Sequence, residues 1–198
     1  MSQDVQGEVC DYPEEFFKER IHTIRRSRPD DFQIKEAAEL IKKSKKPIII
    51  SGGGVFYSDA TEELSAFAQK HNIPVTQTVM GYSTMKKDHS HYLGVIGGLG
   101  GKAANNLSKE TDTAIAIGTK LADFTTGSWA NFENPDFKLV SINAARFDAS
   151  KHMAQAIVGD AKVSLMELSQ ALGTWKADDV WYKKSRVELK EWLSLIHI

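Results

Sequence analysis

Only one cysteine, Cys10, occurs among the 198 residues. An internal disulfide and a multi-cysteine zinc site are both excluded by that count. No apolar run reaches the roughly 18 residues of a bilayer-spanning helix. The opening Met1-Ser2-Gln3-Asp4 is polar, unlike the apolar stretch of a secretory leader. No internal repeat at a fixed period is visible. Charge of one sign is also missing: 25 Lys and Arg face 26 Asp and Glu, a net charge of −1. Such a chain has no overall field to hold nucleic acid or anionic lipid. What is present is 41% apolar and 26% charged, close to the globular average, so a disordered or collagen-like chain is excluded. The length fits one domain, with or without appendages. The expectation is a soluble cytoplasmic domain with a sizeable core and neither nucleic acid nor a membrane as partner.

Residues 1–31 are polar and mixed, ending in Arg20, Arg25, Arg26, Arg28 and Pro29, and read as an arm that meets either a partner domain or solvent. From about 32 to 44, Ile34, Ala37, Ala38, Leu40 and Ile41 recur at helical spacing. The lysines of 42–46 close that helix, where cations suit its carbonyl end. Pro47-Ile48-Ile49-Ile50-Ser51 is short, apolar and β-branched, as in a strand buried on both faces of a parallel sheet. Gly52-Gly53-Gly54 follows, then a helix from Asp59 to His71 with Ser58 or Asp59 as its cap. Further strands are expected at 74–78, 113–118, 138–143 and 156–158, and helices at 102–109, 160–172 and 176–192, while 79–100 reads as a glycine-rich loop. Strand–helix alternation implies right-handed βαβ units. The fold expected is therefore α/β: a three-layer, Rossmann-like open parallel sheet of five to six strands with helices on both faces. Residues 32–174 would form its body and 175–198 a C-terminal helix. The apolar end, Leu193 to Ile198, is expected to be truncated or non-native.

Ligands of open parallel sheets sit beyond the carboxyl ends of the strands, where these glycines fall. Glycine admits a phosphate close to the backbone, and a helix N-terminus offers free N–H groups. The motifs are imperfect. Tyr57 stands where Gly52-x-Gly54 needs a third glycine. Gly98-Leu99-Gly100-Gly101-Lys102-Ala103 fits G-x-G-x-x-A but follows an expected loop rather than a strand. A P-loop fails, since Ile96 and Ala103 occupy its first glycine and its Ser/Thr positions. Tight-turn and phosphate-binding readings both stand. Gly81-Tyr82-Ser83-Thr84-Met85 lacks the closing glycine of a nucleophile elbow. His89 and His91 beside Asp88 lack a third metal ligand nearby. Glu14-Glu15 and Glu62-Glu63 read as solvated faces. Trp129 and Phe132 either line a pocket or cover the sheet. No catalytic or metal-binding set is expected in this chain.

Several stretches together resemble the central domain of thiamine-diphosphate-dependent enzymes. They are Pro47 through Val55, Pro74-Val75-Thr76-Gln77-Thr78, Leu93-Gly94-Val95-Ile96-Gly97, Ala103-Ala104-Asn105, Asp112 through Leu121, and Gly159-Asp160. Their order and spacing match over about residues 33–172, and acetolactate synthase and pyruvate oxidase share the plan. Asp4-Val5-Gln6 is similar to the end of a linker leaving the first catalytic domain. Tyr12-Pro13-Glu14-Glu15-Phe16-Phe17 and Ile24-Arg25-Arg26-Ser27-Arg28-Pro29 are similar to the inositol-catabolism branch. Members of that branch open trihydroxycyclohexane-1,2-dione by C–C hydrolysis, using thiamine diphosphate and Mg2+.

The resemblance implies that catalysis lies elsewhere. Family members hold diphosphate and metal on a Gly-Asp-Gly motif with downstream asparagines, in a C-terminal domain. Here Gly159-Asp160 continues with Ala161, and Asn105-Asn106 comes before it. The activating glutamate belongs to an absent N-terminal domain. The chain is expected to be a non-catalytic middle domain between two catalytic ones, in a parent that is a homodimer or homotetramer. Relatives hold FAD, an ADP moiety or nothing on this fold. By position the candidates for such a pocket are Gly52, Gly53, Gly98, Gly100, Thr119, Lys120 and Asn143. An empty pocket is favoured, since hydrolysis moves no net electrons. The alternatives are the FAD-binding middle domain of an acetolactate-synthase-like carboligase and a stand-alone nucleotide-binding module. A sirtuin-like deacylase is disfavoured, because Thr78 replaces the Asn of its Thr-Gln-Asn segment and a four-cysteine zinc set is absent.

Overall fold

The computed structural model describes residues 2–196. Six strands form one all-parallel sheet in the order β3-β2-β1-β4-β5-β6. They are β1 Pro47–Ser51, β2 Val75–Gln77, β3 Tyr92–Val95, β4 Thr113–Ile117, β5 Lys138–Asn143 and β6 Gln155–Val158. The helices in chain order are α1 Gln3–Gln6, α2 Asp31–Lys42, α3 Gly53–Tyr57, α4 Thr61–His71, α5 Lys102–Glu110, α6 Asp123–Thr126, α7 Arg146–Ala149, α8 Ala161–Leu172 and α9 Asp179–Ile196.

The two faces follow from the alternation of side chains along each strand. Ile49, Ile115, Ile117, Val140 and Ile157 point to one face and pack with α2, α4 and α8 through Ile41, Leu64, Phe67 and Leu168. Ile48, Ile50, Ala114 and Ala116 point to the other and meet Ala103, Ala104 and Leu107 of α5, then Trp181 and Leu189 of α9. Each fully buried Ile, Leu or Phe here contributes about 1.5–3 kcal/mol. The result is the expected three-layer α/β sandwich with six strands.

Local signals explain most element ends. Asp30 caps α2 by accepting from Phe32 N–H, and Asp160 caps α8 by accepting from Lys162 and Val163. The lysine run closes α2. Lys42 pairs with Glu39, and the N–H groups of Lys45 and Lys46 donate to the Asp112 carboxylate at 2.8 and 3.1 Å.

Besides the short helices α1, α3, α6 and α7, which the sequence did not signal, the fold departs from expectation at four places. The stretch 79–100 is not all loop, because Tyr92–Val95 forms the edge strand β3. Its register shifts between Val75 and Thr76 and it contains Gly94 at φ +107°, so it carries little strand signal. Neither Ser58 nor Asp59 caps α4. Ala60 takes the cap position, Ser58 Oγ accepts from Ala161 N–H, and Asp59 turns left-handed at φ +52° to meet Lys162. Glu63 is no solvated residue: it pairs with Lys162 at 3.1 Å, and its second carboxylate oxygen is buried without a partner. The last helix continues through Ile196 rather than stopping near 192. Of the stretch expected to be non-native, 197 and 198 lie outside the described residues.

Helix α9 completes the sheet edge. Trp181 Nε1 donates to the Pro47 carbonyl at 2.8 Å. Arg186 donates to the Tyr92 carbonyl of β3 at 2.6 Å, and Tyr182 Oη to the Ser90 carbonyl at 3.1 Å. The last two contacts cover the β3 edge, which would otherwise offer unpaired carbonyls, and Trp181 ties α9 to the central strand β1. The arm behaves differently. Residues 2–28 are exposed, and contact with the body begins where Arg26 pairs with Asp160 at 3.0 Å and Asp160 N–H donates to the Ser27 carbonyl at 2.9 Å. Among the described residues, no helix is long and apolar enough to cross a membrane.

Candidate functional site

The carboxyl ends of β1 and β4 meet at the point where strand order reverses, the usual ligand crevice of such sheets. Here two backbones fill it. Gly52 N–H donates to the Ile117 carbonyl at 2.8 Å, and Gly54 N–H to the Gly118 carbonyl at 2.9 Å. A Cβ on Gly54 would stand 2.6 Å from Gly118 Cα, and one on Gly52 would stand 2.4 Å from Gly118 O. Any side chain at these positions would hold the loops apart. Gly118 itself takes φ +61° and donates to the Ile142 carbonyl, tying the loop to β5.

The candidate residues fall into two groups. Gly52, Thr119 and Asn143 come together. Asn143 Nδ2 donates to the Thr119 carbonyl at 3.2 Å, while Thr119 Oγ1 accepts from Leu121 N–H at 3.2 Å. Gly53 is turned away toward the Met80 carbonyl, and Lys120 is exposed. Gly98 and Gly100 belong to the loop between β3 and α5. Gly98 is exposed, with its N–H donated to the Phe124 carbonyl at 2.8 Å. Gly100 makes a tight turn, its N–H donated to Gly97 O at 2.8 Å, and Gly101 N–H donates to Val95 O at 2.8 Å. Asn105 brackets the same turn, accepting from Gly97 N–H at 2.9 Å and donating to Gly97 O at 3.1 Å.

One expectation is corrected here. Gly98-Leu99-Gly100-Gly101-Lys102-Ala103 does follow a strand, since β3 ends at Val95, and it opens α5. The local order is thus strand, G-x-G-x-x-A, helix. Yet β3 is the edge strand, remote from the reversal point, and most of the loop's amides are already donated within the protein. A phosphate cradle needs such amides free.

Other candidates resolve into packing. His91 is buried, its Nε2 at 3.3 Å from Asn72 Oδ1 and its ring 4.6 Å from that of Tyr182. Burial, with His89 and Arg186 nearby, pushes its pKa down to about 4. Trp129 packs between Phe132 and His152 and covers the sheet rather than a pocket. A cleft of ≈ 820 Å³ opens at the opposite, amino edge, lined by Phe32, Leu40, Lys43 and Asp112 among others. Near the carboxyl-edge loops, a cavity of ≈ 170 Å³ lies between Gln77, Tyr82 and Lys86. Sequence reasoning missed the Gly54–Gly118 contact. Its only trace is that Gly118 ends β4 as Gly52 to Gly54 end β1, at the two strands that flank the reversal.

The residues do not fit a diphosphate and its metal. Asp160, the acidic residue of Gly159-Asp160, is spent on two α8 amides and on Arg26. Among the described residues, no group of three His, Cys, Asp or Glu converges. The described residues thus offer no cradle for thiamine diphosphate and its metal.

Comparison with known proteins gives the relationship. Residues 34–168 match the family model of the thiamine pyrophosphate enzyme central domain. The chain is 46% identical over 172 residues to a 3D-(3,5/4)-trihydroxycyclohexane-1,2-dione hydrolase of Clostridium perfringens strain 13, covering 87% of this chain and 27% of that protein. Proteins of the same name from Clostridium tetani, at 45%, and Bacillus thuringiensis, at 43%, match with the same coverage of 87% and 27%. The chain thus spans about a quarter of the length of the curated relatives it matches. With more than half of its residues in the family match, on a sheet of the expected topology, this chain belongs to the thiamine pyrophosphate enzyme central-domain family.

Proposed function

We propose that this chain is the middle domain of a cytoplasmic, thiamine-diphosphate-dependent hydrolase that opens trihydroxycyclohexane-1,2-dione during inositol breakdown. The observation that carries the reading is the 46% identity over 172 residues to a hydrolase of that name. In this reading residues 1–31 link to a preceding catalytic domain, 32–174 form the middle domain, and 175–198 lead onward. Thiamine diphosphate and Mg2+ belong to the flanking domains, and the parent is a homodimer or homotetramer. The chain's own task is mechanical: it holds two catalytic domains at a fixed spacing. A rigid sheet tied by the Gly54–Gly118 contact suits that task. The test is to express the whole reading frame and follow ring opening of the cyclic diketone with thiamine diphosphate and Mg2+. Activity in the full protein, none in residues 1–198 alone, is expected. A full protein that is inert toward the diketone would refute the proposal.

One observation favours a second reading, the FAD-binding middle domain of an acetolactate-synthase-like carboligase. It is the strand–G-x-G-x-x-A–helix context of Gly98 and Gly100. Against it stand the donated amides of that loop. A yellow full-length protein forming acetolactate from pyruvate would select this alternative.

A further inference from the structure

Each of the first five strands ends in a loop that carries a large apolar side chain into solvent. These are Tyr57 after β1, Met80 after β2, Leu99 after β3, Phe124 after β4 and Phe147 after β5, each between 63% and 77% exposed. Scattered single exposures need no explanation. Four of them are not scattered, because backbone hydrogen bonds join the loops after β1, β2, β3 and β4. Thr78 N–H donates to Ser51 O at 2.9 Å, Ile96 to Gln77 O at 3.0 Å, Gly98 to Phe124 O at 2.8 Å and Gly54 to Gly118 O at 2.9 Å.

A second observation points to the same edge. Asp59, Ser83 and Leu121 hold φ of +52°, +75° and +48° in the loops after β1, β2 and β4. Such conformations are costly for residues with a Cβ and persist where the surroundings impose them. They fix the loops in shape before anything binds. A preformed edge that presents apolar side chains is a docking surface that loses little order on binding.

We propose that this carboxyl-edge rim is the face on which a second domain of the same polypeptide docks through an apolar surface of its own. The proposal rests on the reading of the chain as a middle domain. Nearly three quarters of each relative's length lies outside the matched region, so a tethered occupant of sufficient size is at hand. A tethered partner meets its site at high effective concentration and needs few polar anchors. That matches a rim of Tyr, Met, Leu and Phe with backbone amides already satisfied. A phosphate ligand would want the opposite, free amides and few bulky side chains.

The test is hydroxyl-radical footprinting of the full-length protein, read by mass spectrometry. Met80 is the reporter on the rim. Met166 on α8, 51% exposed, is the reference. In residues 1–198 alone, Met80 should oxidise faster than Met166. In the full-length protein Met80 and Phe124 should be modified about tenfold more slowly relative to Met166, as expected for water-excluded interface centres. An unchanged Met80 to Met166 ratio overturns the proposal. Protection that appears only as concentration rises would mean a second copy and overturns it too. Failure of the middle-domain reading is seen separately, as a reading frame without flanking domains or a full protein inert toward the diketone.

Discussion

Gly54→Ala puts the packing argument at greatest risk. The added Cβ would lie 2.6 Å from Gly118 Cα, 3.0 Å from Gly118 O and 3.2 Å from Gly118 C. Carbon atoms pack at about 3.5–4.0 Å. The loops after β1 and β4 would have to separate by about 1 Å, at the expense of the 2.9 Å bond from Gly54 N–H to Gly118 O. Overpacking of this kind costs about 1–3 kcal/mol, and the hydrogen bond about 1 kcal/mol. Gly54 lies in α3, where alanine returns up to about 1 kcal/mol of helix preference. The net expectation is a loss of about 1–3 kcal/mol, or about 3–10 °C in melting temperature for a chain of this size. Gly98→Ala is the matched control. Its nearest neighbours would be Phe124 atoms at 3.8 and 3.9 Å, ordinary contacts. It should change stability by about 0.5 kcal/mol or less, in either direction. Urea unfolding followed by circular dichroism reads both. If Gly54→Ala stays within about 0.5 kcal/mol of the parent, or Gly98→Ala costs as much as Gly54→Ala, the backbone-contact account fails.

Asp160→Ala removes the α8 cap and the partner of Arg26. It should cost about 1–2 kcal/mol, and trypsin should cut sooner after Arg26 and Arg28. His91, held near a pKa of about 4, binds fewer protons folded than unfolded between that value and its ordinary 6.5. Stability should therefore be full above pH 6.5 and fall toward pH 4, by up to about 3 kcal/mol. His91→Asn should flatten that part of the profile in unfolding experiments run across the range. Asp112→Ala strips two exposed backbone N–H groups of their acceptor and should lower stability by about 1–2 kcal/mol, whereas Asp112→Asn should recover part of the loss in a thermal melt.

The architecture was largely legible because parallel strands and amphipathic helices write strong patterns. Pro47-Ile48-Ile49-Ile50-Ser51 is buried along its whole length, and the Ile34/Ala37/Ala38/Ile41 face of α2 packs as its spacing implies. Edge strand β3 was not legible, since Gly94 and a register shift erase its signal. Nor were the α4 entry and the inward Glu63, where a tertiary partner, Lys162, outweighs local capping rules. The glycines were visible but their use was not. Spacing alone does not distinguish a phosphate cradle from a backbone crossing, because both need the missing Cβ. The contact between Gly54 and Gly118 spans 64 residues, a separation that no local motif encodes. The apolar rim was hidden for the same reason. Tyr57, Met80, Leu99, Phe124 and Phe147 are isolated in the chain, and the sheet order brings them to one edge.

The central claim is that the carboxyl-edge loops are built for packing and a protein partner, with no nucleotide cradle. Thermal melts of residues 1–198 with FAD, ADP and NAD test it most directly. The account predicts no shift with any of the three at saturating concentration. Stabilisation approaching about 2.7 kcal/mol, as a ligand at a hundred times its Kd would supply, would contradict it and return Gly98, Gly100, Thr119 and Asn143 to a ligand site.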